Sequence, residues 1–254
     1  MSKRLVYNIE KASNLFQGLP LVACDTGFAI ECSPFSFLSH PRRERAGTLE
    51  FSEEIRKELI EDCRITDPKS PRGVVLNTAA SLFRRKGYLQ TTVRDIGRET
   101  GILPGSIFHH YRSKDEILRT VMEESIILNL GRLKRALQSR PGLEDRLRTL
   151  ISVELYAMNG ETGEAWSVMV DEWRNLSDEG KATILRLREE YEGIWLEVLR
   201  EAHEAGLVAM EPDILRKLLA GSLHWTPTWF RHGGGLSLDD LTDRVWQLAT
   251  GRRP

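Results

Sequence analysis

Residues 91–118 read TTVRDIGRETGILPGSIFHHYRSKDEIL, a stretch in which short helical segments alternate with turn signals. Thr92 and Asp95 form a capping box, in which a threonine and an acid three residues later satisfy the first amides of a helix. Pro104 suits the first turn of a second helix, and Ser113 begins another capping box. The stretch therefore predicts two short helices joined by a tight turn, with a third helix after them.

The second short helix has two chemically different faces. Ile107, Phe108 and Tyr111 are spaced so that they can share an inner face. The other face carries small or hydrogen-bonding side chains, namely Gly105, Ser106, His109 and His110. Because a major groove about 12 Å wide admits such a helix, we interpret the pair as a helix-turn-helix that binds DNA.

Charged residues are unevenly distributed along the chain. Residues 69–119 contain ten Lys or Arg and four Asp or Glu, a net charge of +6, whereas the whole chain has −1. A short basic segment in an otherwise acidic chain is what a module facing phosphates requires. A solvated basic surface would have the same charge, so the charge supports the helix-turn-helix interpretation without deciding it.

The chain resembles the signature of the tetracycline-repressor (TetR) family, and the spacing matches without a gap over residues 91–96, 101–111 and 113–118. The resemblance implies an all-α protein of nine helices, of which three bind DNA and the others bind a ligand and form a dimer. The sequence departs from the family pattern at Phe108, where tyrosine is usual, and at Tyr111, where phenylalanine is usual. The missing hydroxyl at Phe108 implies the loss of one phosphate contact.

Nine residues are assigned to DNA contact. Thr92 can cap its helix and place a hydroxyl or amide at a phosphate, and Lys114 resembles the family lysine that meets the DNA backbone. Arg94 and Arg112 are further candidates for phosphate contacts. The complete set is Thr91, Thr92, Arg94, Leu103, Ser106, His109, His110, Arg112 and Lys114.

Contacts with bases in the major groove are assigned to Ser106 and to the histidine pair, His109 and His110. The pair has two other interpretations, exposed residues without a role and a metal site. Because adjacent residues on a helix diverge by about 100°, joint chelation is unfavourable and DNA contact is preferred. We expect neither a metal nor a cofactor.

The chain is expected to have three parts and an all-α fold. Residues 1–68 form a leader interrupted by Pro and Gly, which we expect to be partly disordered, to contain one helix over 51–63, and to be dispensable for DNA binding. Residues 69–119 hold the three-helix DNA-binding domain with its helix-turn-helix. Residues 120–254 are expected to form a roughly six-helix ligand-binding and dimerisation domain.

The composition argues against several classes of protein. No apolar run approaches the ~20 residues of a membrane span, and no apolar segment follows the basic residues at the start, so we expect a cytoplasmic protein. Cys24, Cys32 and Cys63 match neither a disulfide framework nor a zinc pattern. Without a phosphate loop, a nucleophile pair or facing carboxylates, a small helical enzyme is the weaker hypothesis.

All six tryptophans lie within residues 166–246. Core packing explains at least half of them, but helical domains that bind apolar ligands also line pockets with such rings. Pro227 is expected to kink a helix and so form a pocket wall. The residues assigned to ligand binding are Asp171, Trp173, Arg174, Trp195, Trp225, Trp229 and Arg231.

The segment 225–237 is similar to the C-terminal part of a TetR subgroup, some of whose members sense acyl-CoA thioesters. The similarity implies an effector that needs an apolar slot for its acyl chain and cations for its phosphates. The candidate cations are Arg174, Arg186, Arg188 and Arg231. Two alternatives stay open, a planar aromatic or cationic drug-like effector and a DNA-binding protein without a ligand.

The last two predicted helices, 213–231 and Leu238–Thr250, each carry an apolar face. Two such helices per subunit suit a four-helix interface in a homodimer, with Leu223 and Val245 among the residues expected there. A two-fold dimer would present its recognition helices to successive major grooves about 34 Å apart. The sequence thus predicts a dimeric repressor that a small molecule releases from a palindromic operator.

Overall fold

The computed structural model describes residues 50–160 and 163–252, and within these ranges the chain is helical without a β-strand. Its α-helices are α1 Glu50–Glu61, α2 Pro71–Lys86, α3 Val93–Thr100, α4 Pro104–His110, α5 Lys114–Gln138, α6 Leu143–Asn159, α7 Gly163–Asp171, α8 Asp178–Glu204, α9 Pro212–His224 and α10 Leu238–Thr250. Two 3₁₀ turns follow α7 and α9, at Trp173–Asn175 and Thr226–Thr228. The predicted all-α fold is confirmed. None of the described helices is long and apolar enough to cross a bilayer.

Side chains cap the helices on both sides of α4. Thr92 and Asp95 form the predicted capping box at the start of α3, with both of its hydrogen bonds present. At α5 only half of the second predicted box forms, because Ser113 caps the helix while the Glu116 carboxylate accepts the amide of Arg112 instead. The starts of α3 and α5 are therefore both fixed by side-chain caps.

α2, α3 and α4 pack around a small apolar core. Phe83, Ile96 and Ile107 are buried within it, and Tyr111 is buried at the end of α4. Phe108 was predicted to share this inner face, but it is 52% exposed. It follows Ile107 by one residue, which turns its side chain about 100° away from the core. The inner-face prediction is therefore wrong for Phe108.

α1 packs against the middle of α5. Ile55 and Leu59 are buried there with Leu128. Gly131 allows this approach, because a Cβ atom at that position would stand 3.0 Å from Ile55 Cγ2. The helix predicted within the leader is present and packs on α5, whereas the expectation that the leader is dispensable for DNA binding stays a prediction. The disorder expected earlier in the leader falls on residues 1–49, which lie outside the described ranges.

α6, α8, α9 and α10 enclose the largest apolar core of the described chain. Trp195 of α8 is completely buried in it, and Leu150, Leu199, Leu223 and Trp246 are among the residues that share this core. α7 packs both on α6 and on α2 of the N-terminal helices. The C-terminal helices thus have a core of their own and also touch the helix-turn-helix part.

α9 ends at His224, although the sequence predicted a kinked helix that continues to residue 231. Pro227 lies in the 3₁₀ turn that follows. A proline has no N–H for the carbonyl four residues back, and that carbonyl, of Leu223, accepts the Thr226 hydroxyl at 2.7 Å instead. The proline therefore marks the end of the helix, and the predicted kink is wrong.

Candidate DNA-binding surface and effector region

A left-handed glycine joins α3 to the turn before α4. Gly101 has φ of 72°, a conformation that is strained for residues with a side chain. Gly97 lies where the turn comes closest to α3, since a Cβ atom there would stand 2.7 Å from the carbonyl oxygen of Ile102. These two positions allow the close approach of two short helices that a helix-turn-helix requires.

The outward side of α4 carries hydrogen-bonding side chains that have no partner among the described residues. His109 is exposed, and Ser106 and His110 are half-buried. None of these three side chains makes a hydrogen bond or ion pair within residues 50–160 and 163–252. Leu103, just before the helix, is largely exposed as well. A base edge presents the donors and acceptors that such side chains can meet.

Arg94 of α3 and Arg112 after α4 are both exposed. Neither guanidinium forms a hydrogen bond or ion pair with another described residue. An exposed guanidinium without a protein partner is a good donor to a phosphate oxygen. Both side chains are therefore available for the phosphate contacts that the sequence predicts.

The start of α3 holds an ionised carboxylate. The hydroxyl of Thr92 donates to Asp95 Oδ2 at 2.7 Å, and its amide donates to the same oxygen at 2.9 Å. These hydrogen bonds lower the pKa of Asp95 to about 2. Because a hydroxyl has a single proton to donate, a phosphate at this helix start would meet a backbone amide rather than the Thr92 hydroxyl.

Two of the nine residues assigned to DNA are engaged inside the protein. Thr91 is fully buried, and its hydroxyl donates to the carbonyl of Gly87 at 2.9 Å, which removes it from the DNA-contacting set. The Lys114 ammonium donates to the carbonyls of Tyr88 and Thr91 at 2.8 and 2.9 Å. It also lies 4.0 Å from the centre of the Tyr88 ring. One of its three N–H bonds is left for a phosphate.

The four tryptophans assigned to the ligand lie in different surroundings. Trp173 and Trp195 are buried, and Trp195 belongs to the core between α6 and α10. Trp225 and Trp229 are 53% and 47% exposed in the segment after α9. Core packing therefore accounts for the first two rings.

The charged members of that set lie at the surface. Asp171, Arg174 and Arg231 are all exposed, and Arg231 donates to the carbonyl of Phe230 at 3.0 Å. With two rings in the interior and three charges at the surface, a single pocket lined by all seven assigned residues is wrong. Ring type alone did not distinguish core positions from surface positions.

A buried ionic cluster connects α6, α8 and α9, and the sequence analysis did not predict it. Glu154 of α6 is fully buried and accepts from Arg216 at 3.2 Å and from the Tyr191 hydroxyl at 3.3 Å, with His224 Nε2 at 3.1 Å. Arg216 is also buried and pairs with both oxygens of Glu192, at 2.7 and 2.8 Å. Burial alone would raise the pKa of Glu154, but Arg216 and His224 hold it at about 2.

Aromatic side chains lie beside this ionic cluster. The Trp166 ring of α7 is 6.1 Å from the Tyr191 ring and 5.8 Å from the His224 ring, measured between centroids. The guanidinium carbon of Arg216 lies 4.3 Å from the centre of the Trp195 ring. The interior of the C-terminal helices thus combines aromatic rings with charges that pair with one another.

A cavity of about 220 Å³ lies among α1, α2, α5 and α7. Within its lining the Thr66 hydroxyl donates to Glu124 at 2.6 Å, and burial raises the pKa of that glutamate. None of the seven residues assigned to the ligand lines this cavity.

The C-terminal helices contact the loop before α3 and the start of α5. Glu172, next to the first 3₁₀ turn, accepts the backbone amide of Tyr88 at 2.9 Å. Asp115 of α5 accepts both the amide and the hydroxyl of Ser177, at 3.1 and 3.0 Å. Both contacts join the segment between α7 and α8 to elements that hold the helix-turn-helix.

This fold and this surface define a helix-turn-helix regulator that binds DNA. Residues 75–121 match the family model for bacterial regulatory proteins of the tetR family, and residues 141–252 match that for the tetracyclin repressor-like C-terminal domain. The HTH-type transcriptional repressor KstR2 of Rhodococcus jostii is 31% identical over 193 residues, which is 72% of this chain and 91% of KstR2. The chain therefore belongs to the TetR family of DNA-binding transcriptional regulators and is not an enzyme.

Solved structures share the fold. The superantigen pfit is 45% identical with a TM-score of 0.69, covering 78% of this chain and 98% of its own. The ketosteroid transcriptional regulator KstR2 of Mycobacterium tuberculosis is 25% identical with a TM-score of 0.66, covering 74% and 96%. AibR, solved with isovaleryl coenzyme A and operator DNA, is 20% identical with a TM-score of 0.65, covering 71% and 98%, and at this identity it shows the fold alone.

Proposed function

We propose that this protein is a homodimeric repressor that binds a palindromic operator and leaves it when a small effector binds. The outward face of α4 carries this proposal, because its polar side chains have no partner in the described chain and exposed arginines lie on either side of it. The similarity to a named repressor, KstR2, supports repression rather than activation.

The DNA-binding part is proposed to span residues 69–119, and residues 120–254 are proposed to bind the effector and the second subunit. Base contacts are proposed for Ser106, His109 and His110. Phosphate contacts are proposed for the side chains of Arg94, Arg112 and Lys114 and for the backbone at Thr92.

The DNA part of the proposal is tested by selecting a duplex from a random library and measuring its affinity at physiological salt. We expect His109→Ala to weaken binding to the selected duplex by about 1–3 kcal/mol and to leave binding to random duplex nearly unchanged. His203→Ala is the matched control, since His203 is an exposed histidine on α8. Equal affinity of the unaltered protein for selected and random duplexes would overturn the proposal.

The second subunit is proposed to cover the exposed apolar side chains of α9 and α10. Ile214, Leu218 and Leu248 are 47%, 56% and 76% exposed, and exposed apolar side chains that form a patch mark an interface. Leu223 and Val245, which the sequence placed in the interface, are instead buried in the core of the protomer. That part of the interface prediction is corrected by the structure.

Two substitutions distinguish interface from core. Leu218→Glu is expected to give a folded monomer, because the charge stays in water once the subunits separate. Leu223→Glu is expected to unfold the chain, because the charge is buried in either state. Sedimentation and circular dichroism measure both results, and a Leu218→Glu protein that stays dimeric would contradict this interface.

The effector is proposed to be an acyl-CoA. The interior rings and charges of α6 to α9 suit a molecule with an apolar chain and anionic groups, and AibR is described in complex with isovaleryl coenzyme A. The alternative is a planar aromatic cation, which needs the rings but not the charges.

Operator release measured by fluorescence anisotropy separates these two effectors. The probes are isovaleryl-CoA, octanoyl-CoA, free CoA, octanoate and a planar dye cation, with DNA alone as the blank. Release by a thioester at micromolar concentration is expected, and release by the dye alone would reject the acyl-CoA.

A further inference from the structure

The buried face of α8 contains one arginine. Ile184, Tyr191 and Trp195 recur at helical spacing and are buried. Arg188 occupies the intervening position of the same stripe, four residues after Ile184 and three before Tyr191. It is half-buried. Helical geometry therefore places a guanidinium on the face of α8 that carries the aromatic rings of the interior.

The carboxylates near Arg188 are engaged elsewhere. Both oxygens of Glu192 accept hydrogen bonds from Arg216, and the oxygens of Glu154 accept from Arg216 and Tyr191. Within residues 50–160 and 163–252, Arg188 itself makes no hydrogen bond or ion pair. Its five N–H donors therefore have no protein acceptor in the described chain.

A second unused donor lies beside Tyr191, on α7. The indole Nε1 of Trp166 is buried and has no hydrogen-bond partner in the described part of the chain. Leaving a buried donor without an acceptor is unfavourable. Burial lowers the pKa of Arg188 while Glu192 opposes that shift, and an arginine side chain stays charged at neutral pH. Arg188 and the Trp166 N–H are thus donors without a partner in the described chain, beside carboxylates that accept their hydrogen bonds from Arg216 and Tyr191.

We propose that Arg188 binds an oxyanion, a carboxylate or a phosphate, of the small molecule that enters among α6, α7, α8 and α9. A guanidinium holds either group through two parallel hydrogen bonds, and the buried Trp166 N–H is a second donor without a partner in the described chain. The inference rests on the proposed function in taking this molecule to be the effector. Of the four arginines that the sequence offers as candidate cations, the other three are exposed: Arg174, Arg186 and Arg231.

The test measures direct binding to the full chain without DNA, by quenching of tryptophan fluorescence. The probes are octanoyl-CoA, free CoA, octanoate and the neutral octan-1-ol. Because hydrogen bonds to a charged group are worth about 1.5–3 kcal/mol, Arg188→Gln should weaken binding of the anionic probe by about 10- to 150-fold. Its affinity for octan-1-ol should not change.

The pattern among the probes identifies the source of the oxyanion. If the oxyanion is a phosphate, Arg188→Gln loses affinity for octanoyl-CoA and free CoA. If it is a carboxylate, Arg188→Gln loses affinity for octanoate. Arg186→Gln is the matched control on the same helix, because Arg186 is exposed. Arg188→Lys keeps the charge but not the planar fork, so it should lose part of the affinity and serves if the glutamine variant does not fold.

Three results would overturn the proposal. These are unchanged affinity for the anionic probes in Arg188→Gln, an equal loss in Arg186→Gln, and no binding of any anionic probe to the unaltered protein at millimolar concentration. A different result would reject the proposed function: the probes bind through Arg188, but none of them releases operator. If the same probe concentrations release operator from wild type and from Arg188→Gln, the role of Arg188 is rejected and the proposed function stands.

Discussion

Two cations near the helix-turn-helix act in different ways. The Lys114 ammonium is held by the carbonyls of Tyr88 and Thr91, so it fixes the loop that leads into α3. Its partial burial lowers the pKa of its ammonium group. Arg94 is exposed and has no partner among the described residues. The first cation should therefore contribute to stability, and the second to DNA binding alone.

Substitution of each cation should separate these effects. Lys114→Met leaves two carbonyls without their donor and should reduce the free energy of unfolding by about 1–3 kcal/mol. Arg94→Ala should change it by no more than about 0.5 kcal/mol while reducing the salt slope of operator binding by about one unit. Urea denaturation and operator titrations at several salt concentrations measure both. An unchanged salt slope in Arg94→Ala would show that it does not meet a phosphate.

Sequence predicts a side chain's role when its partner lies a few residues away. The Thr92–Asp95 cap is of this kind, because both partners belong to one helical turn. Thr91 has the same chemistry as its neighbour, yet it is buried and its hydroxyl donates to the carbonyl of Gly87. Lys114 meets a carbonyl 26 residues earlier, and only the packing of whole helices creates that proximity.

The contact of α1 with α5 is an apolar junction between two helices. Leu59→Ala should reduce the free energy of unfolding by about 2–5 kcal/mol, since it removes a buried side chain and leaves a cavity. Lys57→Ala is the matched control on the exposed side of α1. Urea denaturation gives both values, and the same small loss in both variants would show that α1 does not stabilise the rest of the chain.

The ionic cluster joins α6, α8 and α9 and should make their packing depend on pH. The folded pKa of Glu154 is about 2, below its ordinary value of 4.5. The stabilisation is therefore complete above about pH 4.5 and is lost as the pH falls from there towards 2.

Glu154→Gln tests this pH dependence. At pH 7 it should reduce the free energy of unfolding by about 3–5 kcal/mol, because it breaks a buried ion pair. The difference from wild type should shrink below pH 4.5. Glu189→Gln, at an exposed position of α8, should show neither effect. A difference that stays constant between pH 7 and pH 3 would mean that ionised Glu154 does not stabilise the fold.

Helix starts and apolar faces were predictable, whereas the contents of the helical interior were not. Caps, glycines and apolar spacing gave the ranges of α3 and α10 as the structure has them. The end of α9 was missed because a proline is compatible with either a kink or a stop, and the hydrogen bond from the Thr226 hydroxyl to the Leu223 carbonyl is seen only in the folded chain. The ligand site was misplaced because an indole suits a core as well as a pocket, and burial depends on which helices meet.

At the scale of the whole molecule, the segment between α7 and α8 links the C-terminal helices, where we propose that the effector binds, to the helix-turn-helix. Glu172 accepts the Tyr88 amide, and Ser177 donates to Asp115. An effector can weaken operator binding only if it favours a conformation that binds DNA less well. A buried carboxylate that holds the loop before α3 is suited to transmit such a change.

Glu172→Ala should therefore reduce the coupling between effector and operator. Coupling is the factor by which a saturating thioester raises the operator dissociation constant, and in such systems it is about 5- to 150-fold. We expect a factor below about fivefold in this variant, with the affinity of the DNA-free protein for the thioester nearly unchanged. Because coupling is reciprocal, operator should also lower thioester affinity by the same reduced factor.

Arg84→Ala is the control, since it removes the exposed Arg84–Glu164 pair between α2 and α7, which should contribute little. If Glu172→Ala keeps the wild-type factor in both titrations, the signal does not pass through the Tyr88 amide.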